Sequence, residues 1–186
     1  APATNAAGEQ APFNSVIVKY DGAKWLDETG QDRSSEMMFS LPDKDVFVID
    51  AAANPPKPVA GPAGFYAHVG TTLFNMVVNP ASGKVYVSNL EANNQQRFEG
   101  QNSFAGSQVV PAPSIRGKLA LSRITVLGPA GAVSPRHLNK HINHDTCCAP
   151  VPNAENAKSL AFPNAMAITA SGGTLYVAAL GSSKIG

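Results

Sequence analysis

The chain carries little charge and few cysteines, and it lacks any long apolar run. Charged residues make up 15% of its 186 positions, and the formal net charge is +1 at pH 7. This balance provides no broad electrostatic attraction to nucleic acid or to an acidic membrane surface. No apolar stretch approaches the roughly 20 residues that a membrane-spanning helix needs. We therefore expect neither a nucleic-acid partner nor a membrane span.

The sequence also lacks the common catalytic signatures. It contains no G-x-S-x-G, no H-E-x-x-H and no phosphate-binding glycine loop, so no catalytic residue is assigned. Glu91 and Glu99 are a candidate carboxylate pair of the kind that glycosidases use, but they lie in a loop whose shape the sequence does not define. The sequence alone leaves open whether the protein is an enzyme.

Turn-forming residues are abundant instead, with 16 glycines and 15 prolines. Between them lie short runs in which branched or aromatic residues alternate with small or polar ones, as in Phe74–Leu90 and Pro163–Gly186. Each of these two stretches predicts a strand, a tight turn and a returning strand. This composition disfavours helices and predicts an all-β protein.

The two stretches match each other at an offset of 90 positions. Their turns end at Gly83 and Gly173, where we expect a positive φ that glycine adopts without a Cβ clash. Identical residues recur at this offset: Met76 with Met166, Gly83 with Gly173, Tyr86 with Tyr176, Val87 with Val177, and Leu90 with Leu180.

A second strand pattern recurs outside these hairpins. Asp45–Asp50 (DVFVID) is similar to Arg123–Gly128 (RITVLG), and Ser183–Gly186 has the beginning of the same pattern. A hairpin followed by such a strand, repeated along a chain, indicates a four-stranded antiparallel unit. Repeated units of this kind are typical of a β-propeller.

These motifs resemble the blade repeat of the YVTN-type β-propeller family. The resemblance lies in PNAMAITASGGTLYVAALGSSKI, in VVNPASGKVYVSN and in the later SRITVL. It implies an exported bacterial or archaeal protein, periplasmic or extracellular in location. Some large exported propeller proteins also carry c-type haem segments. This chain has no C-x-x-C-H motif, so the resemblance implies that any haem belongs to another part of the protein.

The predicted architecture is a partial β-propeller of about two to three four-stranded antiparallel blades, covering residues 13–186. Residues 1–12 read as a flexible lead-in. A blade usually takes about 40–45 residues, and the wider spacing predicts insertions at about 91–118 and 134–162. Because two or three blades do not close a ring, we expect the remaining blades to come from the rest of a longer protein or from another chain.

One segment concentrates the side chains that bind metals. His137, His141, His144, Cys147 and Cys148 lie within twelve residues, together with Asp145. On a helix the histidine spacing would place all three rings on one face. Imidazole and thiolate are ligands of zinc and copper, so this cluster is a candidate site for either metal. The alternative is that these are surface or interface histidines.

The adjacent cysteines allow several states. Cys147 and Cys148 could form a strained disulfide with each other, remain free thiols, or each bond a partner outside the chain. The exported setting implied by the family resemblance favours oxidised cysteines, with partners that the sequence does not identify.

Residues 27–35 (DETGQDRSS) form a polar loop with three carboxylates. Its spacing departs from that of calcium-wrapping loops, so the sequence favours a solvated loop over a calcium site.

Three functions therefore remain open. The first is an exported propeller segment that acts as a scaffold or protein–protein interaction module. The second is part of an exported metal- or haem-dependent oxidoreductase or electron-transfer protein. The third is a cell-surface adhesin, suggested by the Asn- and Gln-rich insertion.

Overall fold

The computed structural model describes residues 18–27, 29–37, 44–93, 117–144 and 150–186. The described residues fall into two compact units. The first draws on Ala1–Pro42, Ala92–Ala120 and Lys140–Lys158, and the second on Asp43–Glu91, Leu121–Asn139 and Ser159–Gly186. The predicted lead-in, most of the first predicted insertion (94–116) and residues 145–149 lie outside the described ranges.

The first unit contains a small hairpin of strands β1 (Val18–Tyr20) and β2 (Trp25–Asp27). A turn at Asp21 and Gly22 joins the two strands. The Asp21 carboxylate accepts hydrogen bonds from the next two backbone N–H groups after the glycine, and Gly22 has a φ of +106°. A 3₁₀ turn at Ser34–Glu36 and helix α1 (Ala154–Lys158) also belong to this unit.

The second unit is built from short antiparallel sheets, as the all-β prediction requires. Its strands are β3 (Val46–Phe47), β4 (Ile49–Asp50), β5 (Lys57–Pro58), β6 (Phe65–Tyr66), β7 (Thr72–Val78), β8 (Val85–Ala92), β9 (Ala120–Leu127), β10 (Val133–His137), β11 (Pro163–Ile168), β12 (Leu175–Ala179) and β13 (Lys184–Ile185). Short 3₁₀ turns lie at Gly61–Gly64, Pro129–Gly131 and Leu180–Ser182.

The central sheet has the order β10-β9-β8-β7, so each strand pairs with its neighbours in sequence. A second sheet, β11-β12-β13, repeats this up-and-down order. Strands β3 and β6 form one two-stranded sheet, and β4 and β5 form another. The structure thus contains one four-stranded and one three-stranded antiparallel meander.

The two long hairpins share one register at the offset of 90. Tyr86 lies opposite Val77 in the first hairpin, and Tyr176 lies opposite Ala167 in the second. Both hairpins also shift register within the first half of their first strand, just after Leu73 and Pro163. The sequence alignment of these two stretches therefore corresponds to equivalent backbone pairing.

The turns of the two hairpins differ by one residue. Gly83 has the predicted positive φ, +69°, but in the second turn it is Gly172, at +72°, that takes this conformation. The assignment to Gly173 was wrong. The first turn closes with Gly83 N–H donating to the Asn79 carbonyl, four residues back, whereas Gly172 N–H donates to Thr169, only three residues back.

The predicted strand at Asp45–Asp50 is two strands with different partners. Val48 separates them, and its backbone groups pair with Gly64 and Val59 instead. The segment 51–64 turns back to form β5 and a 3₁₀ turn. The second predicted insertion also starts later than expected, because residues 134–137 are part of β10.

The core of the second unit lies on one face of the central sheet. Val69, Val87 and Leu127 are almost completely buried there. Val46 of β3 and Tyr66 of β6 pack against them, and the Tyr66 hydroxyl donates to the Gly128 carbonyl at 3.0 Å. The small sheet of β3 and β6 therefore covers this face of the central sheet.

Candidate functional site

A connected polar network lies beside the apolar core, on strands β8 and β9. Arg123 of β9 donates through Nε to Asn89 Oδ1 at 3.2 Å and through Nη2 to Glu91 Oε2 at 2.9 Å. The same Nη2 donates to the Val69 carbonyl at 2.9 Å. The arginine and the glutamate are both largely shielded from solvent.

Two fully buried side chains extend the network inward. Asn89 Nδ2 donates to Thr125 Oγ1 and to the Val87 carbonyl, both at 2.9 Å, and the Thr125 hydroxyl donates to the Val69 carbonyl at 2.8 Å. Because two strands and the loop at Val69 meet in these bonds, they fix the path of that loop. Together these bonds form a structural clamp that joins β8, β9 and the loop at Val69.

Sequence reasoning did not identify this network. A signal for it exists, because Asn89 and Thr125 occupy alternate positions of strands that also bear Val87 and Leu127 on the buried face. Polar residues at core-facing positions require partners, and a long cation on the neighbouring strand is a suitable one. Glu91, proposed as half of a carboxylate pair, is the ion partner of Arg123; Glu99 lies outside the described residues.

The three clustered histidines do not share a helix face. His137 ends β10, opposite Arg123 in the β9–β10 register, and residues 138–144 form turns. His141 and His144 belong to the first unit, whereas His137 belongs to the second. His141 is exposed, and its Nε2 lies 3.0 Å from the backbone oxygen of Glu155, which makes Nε2–H the donor. The helical arrangement considered for the cluster is therefore wrong.

Within the described part of the chain, no group of three or more His, Cys, Asp or Glu side chains is arranged to hold a metal ion. Asp145, Cys147 and Cys148 lie outside it, so a copper or zinc site that uses them stays a prediction, as does any disulfide. The described histidines alone do not fit a metal site, and we derive no chemistry through a metal or a haem.

The loop after β2 uses its carboxylates to organise the backbone. Asp27 accepts hydrogen bonds from the side chain and N–H of Thr29, the N–H of Gln31 and the guanidinium of Arg33. These donors, led by the Thr29 hydroxyl, hold the pKa of Asp27 well below its ordinary value of 3.8. The Ser34 side chain is the main cause that lowers the pKa of Asp32 to about 2. Because N–H and O–H groups surround Asp27, its carboxylate is engaged as an acceptor within the loop.

The two long hairpins meet at their turns. Asn79 is buried, its Oδ1 accepts from the N–H groups of Ala81 and Ser82, and its Nδ2 donates to the Gly172 carbonyl at 2.9 Å. A Cβ at Gly172 would lie 2.3 Å from Asn79 Oδ1. Farther along the strands, the Ser88 hydroxyl donates to the Asn164 carbonyl at 2.8 Å. The second sheet therefore covers the face of the central sheet that is opposite the Val87 core.

An open groove runs beside the first strand of the central sheet. It has a volume of about 620 Å³ and is lined by parts of β3 and β7. Phe47 and Met76 border it with more than half of their surface exposed. Exposed aromatic and thioether side chains beside a groove are typical of surfaces that bind other proteins.

Comparison with protein-family models, curated proteins and solved structures gave no match. In the ranges that the structure describes, no helix has the length and apolar character needed to cross a membrane.

Proposed function

We propose that the chain is a segment of a YVTN-type β-propeller in an exported protein, periplasmic or extracellular, and that it serves as a scaffold or protein–protein interaction module. The observation that carries this proposal is the equivalence of the two hairpins. They share the register, the position of the irregularity and the offset of 90, and each belongs to an antiparallel meander.

The way the sheets meet supports the same proposal. Strand β11 lies against β7, and the contacts at Asn79–Gly172 and Ser88–Asn164 join one meander to the next. Neighbouring propeller blades are expected to pack face to face, with the first strand of one blade beside the first strand of the previous blade. The arrangement of the two meanders agrees with this expectation.

A scaffold role agrees with the chemistry of the described residues. The Arg123 network joins two strands and a loop through partly and fully buried hydrogen bonds, as in a structural element. The groove at Phe47 and Met76 is open and partly apolar, which suits a protein ligand better than a small polar substrate.

Electron microscopy of the protein purified from its natural source tests the proposal. We expect a ring-shaped particle with at least about four similar wedges around a central channel. A particle without a ring would contradict the propeller assignment. Recovery of the protein only in the cytoplasmic fraction would contradict export.

Metal analysis of the purified 186-residue chain tests the oxidoreductase alternative. For a scaffold we expect no stoichiometric copper or zinc and no Soret absorbance in the purified 186-residue chain. One equivalent of tightly held metal would instead favour a metal site that includes Cys147 or Cys148.

A further inference from the structure

Equivalent positions in the two sheets have opposite exposure. Leu90 of the central sheet is 8% exposed, whereas Leu180, its equivalent at the offset of 90, is 72% exposed. Ile124 is 4% exposed, whereas Ile185 is 78% exposed. Ile124 and Ile185 correspond because each follows a serine and a basic residue, at the same place after the hairpin. The same apolar positions of the repeat are thus buried in its first copy and exposed in its second, where Leu180 begins the 3₁₀ turn that follows β12.

The second sheet packs against the face of the central sheet that carries Ser88 and Leu90. Its strand β11 approaches closely enough for the Ser88 hydroxyl to bond the Asn164 carbonyl, and the Phe74 and Phe162 rings lie 6.1 Å apart beside this contact. The face that buries Leu90 and Ile124 is therefore also the face on which a second β-sheet packs.

The outer face of the second sheet carries the equivalent positions, and no further sheet of the described residues packs against it. A shallow groove of about 410 Å³ lies on it, bordered by Ala178, Leu180 and Ile185. Tyr176, equivalent to the half-buried Tyr86, is also exposed. Ala178 stands where the central sheet has Ser88, and this small side chain leaves room for a backbone to approach. Lys184 directs its amine to the Ser159 carbonyl at 3.2 Å.

We infer that Tyr176, Ala178, Leu180 and Ile185 form a docking face for a further antiparallel β-sheet of the same repeat, supplied by polypeptide outside residues 1–186. The occupant would present small and branched residues like those of β12, whose Val177 and Ala179 are buried. This inference rests on the proposed function and adds to it the face and the kind of partner. One such interface between sheets already exists inside the chain. The outer face of the second sheet carries residues equivalent to those on the packed face of the central sheet.

A tandem extension of the full chain tests the inference. Because Ser122–Thr125 aligns with Ser183–Gly186, a second copy of residues 126–186 appended after Gly186 continues the pattern in register. The appended segment completes the second sheet and supplies a third. Hydroxyl-radical footprinting with mass spectrometry then measures side-chain exposure at each position of the original chain.

We expect the labelling rate of Leu180 to fall roughly ninefold, the ratio of 72% to 8%, to the rate of Leu90 in the same molecule. Ile185 should likewise fall to the rate of Ile124. The matched control carries Val177→Asp in the appended copy alone, which places a charge on that copy's packing face. In this control Leu180 and Ile185 should label as they do in the unextended chain.

Unchanged labelling in the extended chain would overturn the inference, and so would an appended copy that does not fold, because the face must support the sheet. Protection that persists in the control would show nonspecific shielding. Protection of the unextended chain that grows with its concentration would identify a second copy as the occupant. If the natural protein is ring-shaped but labelling of the extended chain is unchanged, only the inference about the docking face is rejected, and the propeller proposal stands.

Discussion

Gly172 is the residue at which the two long hairpins approach most closely. Its φ is +72°, and a Cβ there would lie 2.3 Å from Asn79 Oδ1. Gly172→Ala should therefore lower the free energy of unfolding by about 1–3 kcal/mol, through left-handed backbone strain and the contact with Asn79. Chemical denaturation measures this value. Gly173→Ala is the matched control, because its Cβ would meet only Ser171 at 3.5 Å; equal losses in both variants would contradict the turn assignment.

Arg123 holds the polar network together. Replacing it by methionine keeps much of the side-chain volume but removes the hydrogen bonds that Arg123 donates to Glu91, Asn89 and the Val69 carbonyl. We expect Arg123→Met to cost about 2–4 kcal/mol of unfolding free energy, because the loss of charged hydrogen bonds in a shielded site is expensive. Arg136→Met on the adjacent strand is the control, since Arg136 is exposed, and it should change stability by less than about 0.5 kcal/mol. Similar losses in the two variants would show that the network contributes nothing specific.

Sequence reasoning at this scale succeeded for some residues and failed for others. Gly83 was assigned correctly because turn chemistry is local, but Gly172 and Gly173 are neighbours of the same type, and the choice between them depends on which carbonyl closes the turn. Arg123 was missed because its partners come from another strand and from the loop at Val69. Contacts of this kind follow from tertiary structure, which a local pattern does not contain.

At the scale of elements, the β1–β2 hairpin should be sensitive to acid. The pKa of Asp27 is depressed, and that of Asp32 is lowered to about 2, both from 3.8. A carboxyl whose pKa is lower in the folded state stabilises that state above its unfolded pKa, and this contribution is lost as the pH falls toward the folded pKa. Stability of the hairpin should thus fall between about pH 4 and pH 2.

Trp25, the only tryptophan, lies in this hairpin with its ring centroid 5.1 Å from that of Tyr20, so its fluorescence reports the change. Asp27→Asn should weaken the hairpin at neutral pH and flatten the response in acid. A tryptophan signal that is constant from pH 5 to pH 2 in the unmodified protein would contradict the role assigned to Asp27.

Elements with a complete local pattern were predicted well. The hairpins at 72–92 and 163–179 alternate branched and small residues around a turn, and both exist with the expected pairing. The run Asp45–Asp50 has an equally good strand pattern but divides at Val48, because its two halves pair with different segments. The three histidines have a helical spacing, yet β10 continues to His137, since pairing with β9 outweighs a weak helical preference.

At the scale of the whole molecule, equivalent positions of the repeat are buried in one copy and exposed in the other. This difference allows a matched test of how much burial contributes to stability. Ile124→Ala removes a side chain that is only 4% exposed, so it should cost about 2–4 kcal/mol of unfolding free energy through lost apolar contact and a cavity. Ile185→Ala makes the same chemical change at the equivalent, exposed position, where the cost should stay within about 0.5 kcal/mol. Denaturation of both variants at low protein concentration measures the difference. Equal costs would contradict the structure, because the difference in burial between the two isoleucines is the physical reason for the predicted difference.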